Sequence, residues 1–156
     1  MKNVEVAFKF LDVGTKLPFG FKKITCHLIF DVKFDLTRKD IYVGGGHQTQ
    51  VSPSLSYSSV VLQDSVRIMF LVAALNNIEV KMCDIGNVYL NVETRERLWF
   101  TAGQEWGSRA GYEVIIVRAL YGLKTSGAKW KKTFSSYIKN TLGYSACNGA
   151  DDNVYL

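Results

Sequence analysis

Residues 21–46, FKKITCHLIFDVKFDLTRKDIYVGGG, decide how the rest of the chain is read. The stretch alternates apolar and polar residues and is rich in β-branched and aromatic side chains. That pattern predicts two strands, about 24–34 and 39–44, joined by a turn near Asp35–Arg38. Gly44-Gly45-Gly46 ends the second strand. The triplet lacks the Lys-Ser/Thr of a phosphate-binding loop and the spacing of a dinucleotide fingerprint. It therefore marks a strand end, or a place where backbone must come close to something.

Upstream, the first 20 residues end in KLPFGF, and Pro18 and Gly20 punctuate them, so they read as an N-terminal arm or loop. Downstream, HQTQVSPSLSYSS is polar and loop-like. A helix follows, with Asp64 or Ser65 as its cap and Val66, Met69, Phe70, Ala73 and Ala74 as the stripe of a buried face. Asn76-Asn77 ends it. IEVKMCDI (78–85) reads as a strand, followed by a short helical or irregular piece. RLWF and YEVIIVRAL then read as further strands. Ser126 is placed to cap a basic amphipathic helix running to about Leu142, with Trp130, Phe134, Tyr137 and Ile138 as its apolar stripe and Gly143 as its stop. DDNVYL begins another strand. Irregularly interleaved strands and helices, with antiparallel pairs, indicate an α+β fold.

The totals set the class. At 156 residues, 47% hydrophobic and 21% charged, the chain fits one globular domain with a real core. No apolar run approaches the roughly 20 residues of a membrane span, and the N-terminus does not have the form of a signal peptide. Cys26, Cys83 and Cys147 lie far apart and in odd number, as expected of reduced thiols inside a cell, in cytoplasm or nucleus. The net charge of +5 is unevenly placed: Arg118, Lys124, Lys129, Lys131, Lys132 and Lys139 fall within residues 118–150, which contain no Asp or Glu. Such a segment either favours anionic partners, such as nucleic acid, or forms a solvated helix face.

Asp84, in VKMCDIGNVYLN (80–91), poses the chemical question. An aspartate after an apolar run is either a cap or turn residue, or a metal ligand, since a carboxylate is costly to bury without a partner. Two-metal phosphoryl transfer needs further carboxylates around cations about 3.5–4 Å apart. Asp151-Asp152 could supply them, but this pair lacks a tight hairpin to aim it at a shared cation. His27 and His47 have no second ligand at metal spacing and read as structural. In VRALYGLKTSGAKWKKTF, a strand enters a Tyr-Gly turn and a lysine precedes a basic helix, an arrangement suited to a flat group and phosphate.

CDIGNVYLN, followed about thirty residues later by RALYGLKTSGAKW, resembles the reverse transcriptase of Ty1/copia-type retrotransposons. TRKDIYVGGGHQTQ, and YSSVV before a helix, resemble that family's finger strands and their connection to the palm. The resemblance covers nearly all of the chain. It implies a right-hand polymerase fold, with fingers and palm of mostly antiparallel sheet and packed helices. Residues 21–83 and 92–119 would then be mixed fingers and palm, 84–91 the first catalytic motif, and 119–142 the Tyr-Gly turn and basic helix. It further implies that Asp84 is a catalytic ligand of Mg2+ or Mn2+, that the backbone of Ile85 helps to hold the metal, and that Tyr89 rejects a 2′-hydroxyl. Lys39, Tyr121 and Gly122 would line the nucleotide pocket. Lys124, Lys129, Lys131 and Lys132 would face an RNA/DNA primer–template, with deoxynucleotide triphosphates as substrate.

The departures are equally specific. The family's finger strand carries Lys-Ala-Arg where this chain has Lys39-Asp40-Ile41. Loss of a charge-assisted phosphate contact costs about 1.5–3 kcal/mol, which is roughly tens- to hundreds-fold in nucleotide affinity. The family's Tyr-x-Asp-Asp hairpin would lie beyond ADDNVYL, so Asp151 and Asp152 are decoys. These 156 residues are expected to be inactive in polymerisation. The other reading is a non-catalytic nucleic-acid-binding remnant that uses the basic 118–150 segment.

Overall fold

The computed structural model describes residues 5–12, 14–50, 56–147 and 149–156. Part of the polar loop expected after Gly46, residues 51–55, lies outside them. The chain forms two compact units, Met1–Tyr57 with Asn87–Trp130, and Ser58–Gly86 with Lys131–Leu156. The secondary structure is mixed α and β, and its strands pair mostly antiparallel.

In the first unit, β1 (Phe8–Phe10), β2 (Lys22–Lys23), β3 (Cys26–Val32) and β4 (Arg38–Gly44) come before the helical region. β5 (Leu98–Thr101) and β6 (Glu113–Ile116) come after it. A four-stranded sheet runs β1-β6-β5-β2, with only the β2–β5 pair parallel. β3 and β4 form the expected hairpin, with Leu28 opposite Tyr42 and Asp31 opposite Lys39. Its turn is closed by Lys33 N–H donating to Thr37 O at 2.9 Å, and by the Asp35 carboxylate accepting from Thr37 N–H at 3.0 Å. The Thr37 hydroxyl, which also donates to this carboxylate, and then that backbone amide hold the Asp35 carboxyl below its usual range.

The core follows from alternation. Phe8, Tyr42, Phe100 and Trp106 point inward and meet mostly edge to face, with Phe8 centroids 5.5, 5.3 and 5.3 Å from those of Tyr42, Phe100 and Trp106. Burying each such ring contributes about 1.5–3 kcal/mol, and the edge contacts add about 0.5–1.5. The polar atoms are satisfied in place. Trp106 Nε1 donates to the Tyr42 hydroxyl, which donates to Glu105 Oε1, both at 3.0 Å. Burial pushes the Tyr42 phenol above its ordinary pKa.

The expected arm at residues 1–20 is corrected here. Ala7, Phe8 and Leu11 are buried, and Phe8–Phe10 is an edge strand on β6. Three residues are too few to carry a period, and their partner strand is distant in sequence.

The second unit contains α1 (Gln63–Leu75) and a hairpin of β7 (Ala146–Cys147) with β8 (Asp151–Tyr155). α2 (Ser126–Asn140) begins in the first unit, and the division falls after Trp130. The predicted strand at β8 is present. Two expectations fail. Of the α1 stripe only Ala73 is buried, while Met69 and Phe70 remain 51% and 52% exposed. Residues 78–85 form no strand, although Ile78, Val80 and Met82 alternate with polar neighbours. Periodicity identifies an apolar face, but burial and strand pairing each need a partner, and no described residue supplies one. Among the described residues no helix is long and apolar enough to cross a membrane.

Candidate functional site

The Tyr-Gly turn is built on the end of the β3–β4 hairpin. Gly44 N–H donates to Tyr121 O at 2.8 Å, and Val43 pairs with Tyr121 in a parallel bridge. Gly122 has φ +84°, and a Cβ there would collide with Gly44 O and with Val43 Cγ1. A Cβ on Gly46 would collide with Gly122 O, and one on Gly44 would lie 2.8 Å from Leu123 Cδ2. The glycine triplet is thus a backbone-to-backbone seat for residues 121–123, the second of the two roles open to it from sequence. Gly122 is required by this packing.

Tyr89 lies in a single 3₁₀ turn, Val88–Asn91, entered through Asn87 at φ +51°. The segment after it pairs with the continuation of β6: Ala119 N–H donates to Val92 O at 2.9 Å, and Thr94 N–H to Val117 O at 3.2 Å. These bonds carry the Tyr89 ring to within 4.7 Å of the Tyr121 ring, at an interplanar angle of 68°. Tyr121 is 39% exposed, so the pair presents an aromatic corner to solvent.

Lys39 is exposed on β4. Ile41 shares its face and is opposite Ile29, while Asp40 is opposite Phe30. Lys124 Nζ donates to Thr49 O at 2.7 Å, which ties the post-glycine loop to the Tyr-Gly turn. Thr49 in turn donates its hydroxyl to Gly46 O at 2.8 Å. α2 starts with the Thr125 carbonyl accepting from Lys129 N–H at 3.0 Å. Ser126, expected as its cap, instead lies buried inside the helix and donates its hydroxyl to Leu120 O at 2.7 Å. Along α2, Lys132 is exposed, Lys129 is half-buried, and Lys131 Nζ donates to Ser59 Oγ.

Asp84 and Ile85 belong to the second unit, in irregular and exposed backbone. Among the described residues no three His, Cys, Asp or Glu side chains are grouped to hold a metal ion. One exposed carboxylate is not a donor set for a pair of Mg2+ or Mn2+ ions, so the residues present do not fit that cofactor by themselves. Asp151 has a different task. It is 6% exposed, and its carboxylate accepts from Leu62 N–H at 2.7 Å, from Asn153 N–H at 2.9 Å and from the Ser65 side chain. Those donors hold its pKa well below the usual carboxylate range. Asp152 is exposed beside it. Sequence reasoning missed this role, as it missed the Tyr42–Glu105–Trp106 chain, because neither leaves a trace in local spacing.

The chain is similar to the Gag-Pol polyproteins of yeast Ty1 transposons. It is 29% identical over 129 residues to those of Ty1-ER2 and Ty1-H from Saccharomyces cerevisiae, covering 81% of this chain and 7% of each polyprotein. To that of Ty1-DR4, from the same organism, it is 28% identical over 131 residues, covering 81% of this chain and 8% of the polyprotein. The chain therefore spans less than a tenth of the length of these relatives. No protein-family model and no solved structure matches it. The similarity supports a retroelement origin.

Proposed function

We propose that this chain is the fingers and part of the palm of the RNA-directed DNA polymerase of a Ty1/copia-type retroelement. The observation that carries the reading is the Tyr89–Tyr121 pair. These are the two aromatics that the resemblance assigns to the sugar gate and to the wall of the nucleotide pocket, and their rings are 4.7 Å apart. The similarity to Ty1 Gag-Pol polyproteins across 81% of the chain supports it independently.

On this reading Asp84 is one ligand of the catalytic cations, with the Ile85 backbone beside it. Tyr89 screens the 2′ position, and Tyr121 and Gly122 form the floor of the nucleotide pocket. Lys39 is the remaining triphosphate contact of a finger strand in which Asp40 and Ile41 replace the family's residues. Lys129, Lys131 and Lys132 face the primer–template backbone. Lys124 is held by Thr49 O and retains two further donors for phosphate. The other carboxylates of the parent enzyme's cation site belong to its Tyr-x-Asp-Asp hairpin.

The test is primer extension on an RNA template with magnesium and all four deoxynucleotides. The 156-residue chain gives no product. A polypeptide encoded by the same frame continued past Leu156 through a Tyr-x-Asp-Asp gives product that Asp84→Asn abolishes. Extension that survives D84N overturns the role of Asp84.

The second reading, binding without catalysis, is favoured by the acid-free 118–150 segment. It predicts salt-sensitive nucleic-acid affinity and no extension from any version of the chain.

A further inference from the structure

A second basic surface in the first unit is built from arginines and uses neither the tyrosine pair nor the lysines of α2. An open cleft of about 410 Å³ is lined by Arg95, Arg97 and Arg118, with Phe21, Ile115 and Val6 among its apolar walls. Backbone pairing assembles it. Glu93 bridges antiparallel to Arg118, Thr94 N–H donates to Val117 O at 3.2 Å, and Lys22 N–H donates to Arg97 O at 2.8 Å. Three arginines on two neighbouring segments thus line one depression.

Their charges are not consumed internally. Among the described residues none of the three arginines forms an ion pair. Two carboxylates, Glu93 and Glu96, share the cleft wall, and Glu96 accepts a hydrogen bond from the Thr125 hydroxyl, so the three arginine charges exceed the acids there by one. Guanidinium forks match phosphate oxygens, and a half-buried aromatic ring offers a base a stacking face.

We infer that this cleft binds single-stranded nucleic acid, with phosphates on Arg95, Arg97 and Arg118 and a base against Phe21. The choice of nucleic acid over other polyanions rests on the retroelement reading. The cleft itself rests only on the geometry.

The test is fluorescence anisotropy of a labelled oligouridylate with the full chain across a salt series, for wild type, R95Q/R97Q/R118Q and K129Q/K132Q. Loss of two to three phosphate contacts lowers the slope of log affinity against log salt by about 1.5–2. The arginine triple is expected to show that drop and at least about tenfold weaker binding at low salt. The lysine variant should lose affinity separately and additively. Because Arg118 is half-buried, R95Q alone, at an exposed position, serves as a second variant and should lower the slope by about 0.7. Wild-type-like binding and slope in both arginine variants overturns the cleft while leaving nucleic-acid binding through α2 intact. No oligouridylate binding by any protein overturns both. Displacement of the oligonucleotide by polyglutamate at equal charge concentration also overturns the assignment, since it shows a site indifferent to bases.

Discussion

The carboxylate of Asp151 receives the backbone amide of Leu62 at 2.7 Å, so the first turn of one helix is capped from a strand far along the chain. Leu62 precedes α1, and a helix start exposes unpaired N–H groups and a partial positive charge. An anion at that point satisfies both. Asn153, through both its N–H and its side-chain amide, and the Ser65 side chain also donate to the carboxylate. Asp151, already set aside as a catalytic acid on sequence grounds, is the tie between α1 and the β7–β8 hairpin.

A pH dependence follows. Because its folded-state pKa lies below the ordinary 3.8, ionised Asp151 contributes stability that is fully present above that value and is lost as pH falls below it. Asp151→Asn keeps an acceptor but removes the charge. Urea midpoints of wild type and D151N should differ near neutral pH, and the difference should shrink progressively as pH falls below 3.8. A difference that stays constant with pH would show that the charge contributes nothing.

Gly122→Ala combines two penalties that Gly143→Ala separates. Both positions have positive φ, +84° and +80°, but a Cβ at Gly143 meets nothing within 4 Å. The left-handed conformation costs each variant about 1–2 kcal/mol. Overlap with Gly44 O and Val43 Cγ1 should cost G122A about 1–3 kcal/mol more. Equal losses in denaturant unfolding would mean that the glycine seat yields freely.

The cysteines should separate by reactivity. Burial pushes the Cys26 thiol up to about 12, while Cys83 is exposed. At mildly alkaline pH a thiol reagent should label Cys83 rapidly and Cys26 only as the first unit opens. Equal rates under native conditions would contradict the packing of β3 against its neighbours.

Asp84→Ala should leave thermal unfolding unchanged, within about 0.5 kcal/mol, since an exposed carboxylate without a hydrogen bond or ion pair among the described residues contributes little to stability. A larger loss would show that Asp84 is structural and would weaken its assignment as a metal ligand.

Much of the local structure could be read from the sequence, for a physical reason. The β3–β4 hairpin, α1, α2, β5 and β8 each carry their own period or turn chemistry. What could not be read depends on partners remote in sequence. β1 exists because Phe8 meets Ile116. The apolar alternation of 78–85 meets no such partner among the described residues and stays irregular. Of the candidate site, the motifs named Tyr89, Tyr121 and Gly122, but not that Gly122 is needed for Gly44, nor that Lys124 is tethered to Thr49. The cleft arginines fall in two segments without a shared motif, so only the pairing of 93–94 with 117–118 assembles them.

The most direct test is binding of an RNA–DNA primer–template hybrid to the 156-residue chain, measured by anisotropy across a salt series. K129Q/K132Q is the comparison, because it spares the Lys131–Ser59 contact. The polymerase-fragment account predicts binding that weakens steeply with salt, and a variant slope smaller by about 1–2. No binding at low salt, or binding indifferent to both salt and the lysines, would contradict it.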